Sequence, residues 1–474
     1  MIAIKLSLYA YAVLHLIAFA VALSSGTPSA TTTVSTASTN QNIKCVDCAI
    51  IGGGPAGLAA SIAVAKAAPS RTIAIYERDS FQPKGASIAI SAAGWNSIKQ
   101  MDPVLVKEIK KTSSPVTSVE IKAWHGDETK NEKGKRQIIF KIGLRVAVSV
   151  LRFFKGAVNY THLWHDVRMV LAERANEVYH AEDAEDAEDE SGTNANANNN
   201  ANDNASDNSH GGTKLLNLNC SLENIRPLEV SDLATQQEGA RFKITVNENG
   251  QPKIVHAKIV IACDGSMSKV RALLPNEPDV LIDEHKSVWR GVTPTSTNGE
   301  ATFYADKNTG RSAIIFPAGK SSGASWTVIS QAEAGKSTTD AEARSRLAKV
   351  IGDLNDDAFK QAIDDSPIVI ENKLHVRDFD KPWKSSYDGL AYVGDAAHPV
   401  RPTGEGTALA FEDTNVLGGV VAEYGLTVEA LRAYEDKRYE PVKRISDQVR
   451  KQAQLSYAKL DVKKSKVEHS SNIK

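Results

Sequence analysis

A glycine triplet decides most of what this chain can fold into. Gly52-x-Gly54-x-x-Gly57 stands between two short apolar runs, Cys48-Ala-Ile-Ile51 and Thr72-Ile-Ala-Ile-Tyr76. Continuous apolar runs of this length fit strands buried on both faces of a parallel sheet. The Ala-rich stretch Leu58 to Ala67 follows the glycines and reads as a helix. Strand, glycine turn, helix and strand make one βαβ unit. Each glycine has a separate task. Gly52 permits the tight turn, Gly54 lets the backbone approach a pyrophosphate, and Gly57 lets the helix pack close to the strand. Pro55 and Ala56 open the helix, whose unpaired N–H groups face the phosphate. Glu77 closes the second strand, 20 residues after Gly57, where a carboxylate can hydrogen-bond an adenosine ribose. Arg78 beside it joins the candidate set. The reading is a dinucleotide site, which suits either FAD or NAD.

Two later turns repeat the pattern of a loop after a buried strand. Cys263-Asp264-Gly265-Ser266 ends the apolar run that begins at Lys258. Gly394-Asp395-Ala396-Ala397-His398-Pro399 follows Gly389-Leu-Ala-Tyr-Val393 and continues through Arg401-Pro402-Thr403-Gly404-Glu405-Gly406. An Asp in such a turn can reach a polyol hydroxyl. A loop of Pro and Gly can lie flat against a ring, and the helix opening near Gly406 can stabilise negative charge there. His398, between Ala397 and Pro399, reads as a loop-shaping residue.

In this order and spacing the three motifs resemble the single-component FAD-dependent monooxygenase (aromatic hydroxylase) family. The resemblance runs from about Val46 to Arg450 and includes Trp289-Arg290-Gly291, Glu412-Asp413 and Tyr434-Glu435-x-x-Arg438. It implies an α/β fold: a Rossmann-like FAD-binding domain with an inserted, mostly antiparallel β-sheet substrate domain and C-terminal helices. It implies that Gly52, Gly54, Gly57 and Glu77 hold the ADP part of FAD. Asp264 and Gly265 would lie near the pyrophosphate, a position the family also links to nicotinamide use. Gly394 and Asp395 would reach the ribityl chain, and Pro402, Gly404 and Gly406 would face the isoalloxazine. The implied cofactor is FAD, with NAD(P)H as co-substrate. The implied partners are O2 and a small organic substrate, hydroxylated or epoxidised through a peroxyflavin. No side chain is assigned as catalytic acid, base or nucleophile, and no metal is implied. A carotenoid-type epoxidase and a flavin reductase share these motifs. A flavin-bound interaction protein without turnover is the alternative from another class.

Two departures stand out. The family pattern Arg-x-x-Leu-x-x-x-Leu meets Trp164, Val167 and Leu171 here, so the Arg is missing or replaced by Arg168. The family's Gly-Gln-Gly reads Gly404-Glu405-Gly406.

Composition supplies the remaining organisation. Leu6 to Leu23 is an apolar run after Lys5, with Ala20-Val-Ala22 as a small-residue cleavage pattern. Residues 1–23 therefore read as a signal peptide and imply the secretory pathway. The run is just long enough to span a bilayer, so an uncleaved anchor with membrane contact is one alternative. Residues 24–44 form a Ser/Thr-rich linker, and its lack of acidic residues also suits a two-part plastid address. FAD-binding segments are expected at 45–115, 151–181, 213–285 and 379–426. Substrate-domain segments are expected at 116–150 and 286–378. A helix is expected over Asn159 to Val178. Residues 182–212, acidic and then Asn-rich, read as a disordered surface insertion. Residues 427–474 read as a closing helix and tail. The formal net charge of −1 gives no global field for nucleic acid. Cys45-x-x-Cys48 is a candidate redox pair, although small buried residues are the preferred reading of these cysteines.

Overall fold

The computed structural model describes residues 43–83, 87–125, 160–181, 214–229, 239–277, 281–306, 308–320, 323–331, 337–381, 383–401 and 405–448. The expected signal peptide, the linker up to residue 42, the insertion 182–212, and the tail beyond 448 lie outside the described residues. So do Pro402 and Gly404.

The glycine triplet sits between strand β1 (Lys44–Ile51) and helix α1 (Pro55–Ala67), and β2 (Ile73–Tyr76) follows. β1 and β2 pair in parallel, Cys48–Ile51 against Ile73–Tyr76. They belong to a seven-stranded sheet. Its longest strand, Gln251–Ala262, does two jobs. Its first half pairs antiparallel with Phe242–Glu248, and its last residues, Val260 to Ala262, pair in parallel with Leu390–Tyr392. The other side of this strand carries β1 along most of its length. The apolar runs are continuous because layers cover both faces, and Cys48–Ile51, Ile73–Tyr76 and Leu390–Tyr392 are all buried. Helix α1 packs against the helices Trp164–Tyr179 and Glu405–Tyr424.

The second sheet has six strands, in the order Val369–Arg377, Leu281–Thr293, Ala324–Gln331, Ser312–Pro317, Glu300–Ala305, Ser118–Ala123. Every pairing is antiparallel except that of Glu300–Ala305 with Ser118–Ala123. One face is sealed by the helices Asp340–Ile351 and Asp357–Asp364, whose Leu347, Ile351, Phe359 and Ile363 pack on Trp289, Trp326 and Tyr304. Thr339 and Asp356 cap these helices by accepting the N–H groups of Glu342 and Phe359. The segment boundary expected at 285/286 falls inside the strand Leu281–Thr293. That strand belongs to the six-stranded sheet throughout, because its residues from Leu281 onward already pair with Val369–Arg377.

A three-stranded sheet joins the two layers: Ser87–Ala89, Tyr160–Leu163 and Ser114–Pro115. It corrects the expected helix start at Asn159. The helix begins at Trp164, because the backbone of residues 160–163 is committed to strand partners on both sides. In addition, the Thr161 hydroxyl donates to the Pro317 carbonyl of the six-stranded sheet at 2.5 Å. The four cysteines are free, and Cys48, Cys220 and Cys263 are buried. Burial pushes the Cys48 and Cys263 thiols well above their ordinary value, so the redox-pair reading loses its thiolate.

Candidate functional site

The site forms where three loops leave the carboxyl ends of adjacent parallel strands, the usual place for a ligand in an open α/β sheet. Sterics fix the first loop. Gly52 has φ +103°, and a Cβ there would stand 2.5 Å from the Cys263 carbonyl oxygen. A Cβ on Gly57 would stand 1.9 Å from the Gly52 oxygen. The glycine turn is thus pressed against its own helix and against the Asp264 turn. Gly54 differs, for the nearest atom to its missing Cβ is a Trp164 ring carbon at 3.8 Å. Pro55 starts α1, no side chain caps the helix, and its first turn carries no acidic residue. Open N–H groups with an open approach fit a phosphate.

Glu77 lies beside this turn and is almost wholly buried. Its Oε2 accepts the Gly53 N–H at 2.7 Å and meets Arg168 Nη2 at 3.0 Å. Its Oε1 accepts the Asp79 N–H at 2.8 Å. Arg168 also donates from Nε to the Gly53 carbonyl at 2.7 Å and lies over the Phe81 ring, 3.6 Å from its centroid. Arg168 therefore stands beside Glu77 and the glycine turn, one helical turn beyond the position Trp164 takes in the family pattern. Its Nη1 is buried without a hydrogen-bond partner. Arg78 points away, its side chain 78% exposed beside Asp79.

In the second loop, Asp264 accepts the Val270 N–H on Oδ2 at 3.0 Å, while its Oδ1 is buried without a partner. Burial pushes this carboxyl up, against the hydrogen bonds from Val270 and Ser268. Gly265 has φ +85° and open space where a Cβ would go. Arg271 reaches from this loop to Glu277 at 3.2 Å and lies 3.7 Å above the Tyr392 ring.

The third loop is held by charge. Asp413, fully buried in the helix Glu405–Tyr424, accepts the Gly394 N–H at 2.9 Å. It also takes His398 Nε2 and Arg438 Nε, each at 2.6 Å. Burial alone would raise its carboxyl; His398, Arg438 and the Gly394 N–H hold it below its ordinary value. His398 shapes the loop through this bond and a stack on Trp383. Gly394, at φ +62°, packs so close that its missing Cβ would meet Ala56 of α1 at 3.0 Å, which joins the third loop to the first. The Asp395 side chain remains open to the cleft even though protein crowds it, and this crowding pushes its carboxyl up against the pull of His398 and Arg290. A Cβ on Gly406 would lie 3.7 Å from Asp395 Oδ1, so this carboxylate stands at the opening of the last helix.

Pro55, Ala56, Gly52, Gly54, Gly57, Glu77, Asp264, Gly265, Gly394, Asp395 and Gly406 thus gather around one cleft, and Arg78 sits at its margin. Arg168, Asp413 and Arg438 carry the electrostatics, and the motif reading gave them no defined role. The signal of Asp413 and Arg438 lies in Glu412-Asp413 and Tyr434-Glu435-x-x-Arg438, and that of Arg168 in its nearness to the family's Arg position. The uncapped helix, the open flank of Gly54 and the unpartnered Arg168 Nη1 and Asp264 Oδ1 fit a dinucleotide such as FAD.

Residues 222–449 match the FAD binding domain family. The matched domain marks this part of the chain as FAD-binding. Among solved structures, Klebsiella pneumoniae HpxO complexed with FAD and uric acid is 15% identical, with a TM-score of 0.60, over 90% of this chain and 92% of that one. CtdE in complex with FAD and a substrate is 15% identical at TM-score 0.60, covering 86% and 88%. P. aeruginosa PqsL in complex with 2-aminobenzoylacetate is 15% identical at TM-score 0.54, covering 86% and 95%. At these identities the likeness establishes the fold. None of the curated proteins matches the chain in sequence.

Proposed function

We propose that this flavoprotein is a monooxygenase that uses NAD(P)H and O2 to hydroxylate or epoxidise a small organic molecule. The observation that carries the reading is the six-stranded sheet held over the third loop. The Arg377 N–H donates to the Pro399 carbonyl at 3.0 Å, and Arg401 pairs with Glu284 of the sheet. A roof at this place excludes water from the chemistry, which oxygen transfer needs and simple electron transfer does not. The flavin, when bound, supplies the redox and oxygen chemistry. The chain's own residues bind and orient. The glycine turn and the start of α1 receive phosphate, Asp395 can accept hydrogen bonds from a polyol chain, and the roof positions the substrate. No side chain is assigned a proton-transfer step.

The test is to purify the protein, measure its FAD, and follow NADH or NADPH oxidation, O2 uptake and peroxide with a panel of aromatic and isoprenoid substrates. The expected result is a yellow protein whose nicotinamide oxidation is stimulated by a substrate that gains one oxygen atom. Nicotinamide oxidation without oxygen in any product would make it a reductase, and a colourless protein that cannot be reconstituted would end the flavin reading. We further propose that Leu6 to Leu23 directs the chain into the secretory pathway, which N-terminal sequencing of the mature protein tests against the anchored and plastid alternatives.

A further inference from the structure

Three Asn-x-Ser/Thr triplets occur in the chain: Asn159-Tyr-Thr161, Asn204-Ala-Ser206 and Asn219-Cys-Ser221. Such a triplet is the acceptor pattern for an N-linked glycan in a chain that enters the secretory pathway. The pattern arises often by chance, so the folded surroundings must decide which triplet can carry a bulky polar sugar. Asn159 and the whole Asn204 triplet lie outside the described residues. The described end of the first triplet is closed: Thr161 is buried, and its hydroxyl is spent on the Pro317 carbonyl.

The third triplet is built differently. Asn219 is exposed, in the turn between the strands Leu216–Asn217 and Cys220–Pro227. Its φ of +55° lies in the left-handed region, which Asn adopts more readily than most residues. Backbone bonds fix the turn. The Asn219 carbonyl accepts the Asn249 N–H at 3.2 Å, and the Cys220 N–H donates to the Glu77 carbonyl at 2.8 Å. Side chains then alternate as in an extended strand. Cys220 and Leu222 belong to the core, whereas Asn219 is exposed and Ser221 half-buried. Neither the Asn219 amide nor the Ser221 hydroxyl has a hydrogen-bond partner among the described residues. Across the turn, Asn249 and Gly250 are exposed, and nothing lies within 4 Å of where a Cβ on Gly250 would go. A substituent on the Asn219 nitrogen therefore breaks no hydrogen bond of the fold and extends into water.

We propose that Asn219 is the acceptor of an N-linked glycan. This rests on the secretory reading of Leu6 to Leu23, since the chain meets the transferase only in the lumen of that pathway. In the transfer, Asn219 Nδ2 forms a bond to the anomeric carbon of an oligosaccharide held on a polyprenyl diphosphate. The bond between that carbon and the phosphate oxygen breaks, the lipid diphosphate leaves, and the amide gives one proton to the transferase. The step is redox-neutral.

The test keeps the two readings apart. The full chain is produced in a eukaryotic secretory host in two forms, one with its own N-terminus and one with residues 1–23 replaced by a leader of proven function. Protein is recovered from the lumen and the medium. Peptide mapping after endoglycosidase release, which leaves Asp at each formerly modified Asn, reads the occupancy of every triplet. With the proven leader, Asn219 should be modified in most molecules. Ser221→Ala, which leaves Asn219 in its turn, should lose the glycan, Ser221→Thr should keep it, and Asn159→Gln should leave it unchanged. The proposal is overturned if lumenal or secreted wild type has a bare Asn219, if the glycan maps to Asn159 or Asn204 alone, or if Ser221→Ala keeps it. Modification with the proven leader but not with the chain's own N-terminus would defeat the secretory reading of Leu6 to Leu23 and leave the acceptor role of Asn219 standing. Secretion of both forms with a bare Asn219 would do the reverse.

Discussion

The Gly52–Gly57 turn and the loop from Gly394 to Val400 leave strands that flank the same central strand, Gln251–Ala262. They are made rigid by opposite means. The first has almost no side chains, and its backbone is wedged against Cys263 and its own helix. The second is tied from beneath by Asp413, a buried carboxylate shared by a backbone N–H, a histidine and an arginine. The difference teaches where the information lies. Steric constraint is written locally as glycine. Electrostatic constraint is written in partners 15 and 25 residues from the aspartate.

The largest effect should come from adding one methyl group to the steric loop. The Cβ of Gly57→Ala would fall 1.9 Å from a backbone oxygen that cannot swing aside. We expect a loss of about 4 kcal/mol or more, or no folded protein. Urea denaturation measures it, and a shift under about 1 kcal/mol would mean that the turn yields and the contrast with the second loop fails.

Breaking the electrostatic loop should be nearly as severe. Asp413→Ala takes the partner from buried His398 Nε2 and leaves Arg438 paired with Glu412 alone, which should cost about 3 kcal/mol. The sign of the pH dependence follows from the depressed carboxyl. Its contribution is complete above the unfolded value of about 4 and is lost as pH falls through the lower folded value. A variant as stable as wild type at pH 7 would show that the hub holds nothing.

A third group sharpens the contrast because it titrates in another window. His162, in the three-stranded sheet, is fully buried, with Thr112 Oγ1 3.2 Å from Nδ1 and no partner on Nε2. Burial pushes its pKa down to about 4. The folded state therefore favours the neutral ring. Stability should be complete above the unfolded value of about 6.5 and fall by up to about 3 kcal/mol on the way to pH 4. His162→Gln should remove that slope and leave the steeper loss below pH 4. An unchanged slope between pH 6.5 and 4 would assign it to other groups.

Legibility followed the same divide. The βαβ start and the loops after Ala262 and Val393 were readable, because buried parallel strands are continuous apolar runs and tight turns demand glycine. The helices Ala92–Met101 and Pro103–Lys111 were not singled out, for they are short and nearly half of their residues are polar. Tyr160–Leu163 reads as helix in the sequence because its strand partners, Ser87–Ala89 and Ser114–Pro115, are distant and only two or three residues long. Arg168 could be suspected but not placed. Its partners, Gly53 and Glu77, come together with it only through the packing of the helix Trp164–Tyr179 on α1.

The smallest expected effect tests whether open space in this cleft is space for a ligand. Gly265 resembles Gly52 in its positive φ but not in its surroundings, since nothing lies within 4 Å of where a Cβ would go. Gly265→Ala should therefore cost only the backbone strain of the left-handed region, about 1 kcal/mol, with no clash to relieve. If the pyrophosphate lies against this turn, the same methyl group occupies ligand space, and FAD affinity should fall about tenfold beyond the stability loss. The two measurements are independent: melting of the apoprotein reports the strain, and titration with FAD reports the contact. Lower stability with unchanged FAD affinity would move the pyrophosphate away from Gly265. It would leave the start of α1 as the phosphate site by itself, so that the sterically built loop would hold the cofactor's charged middle and the Asp264 turn would only brace it.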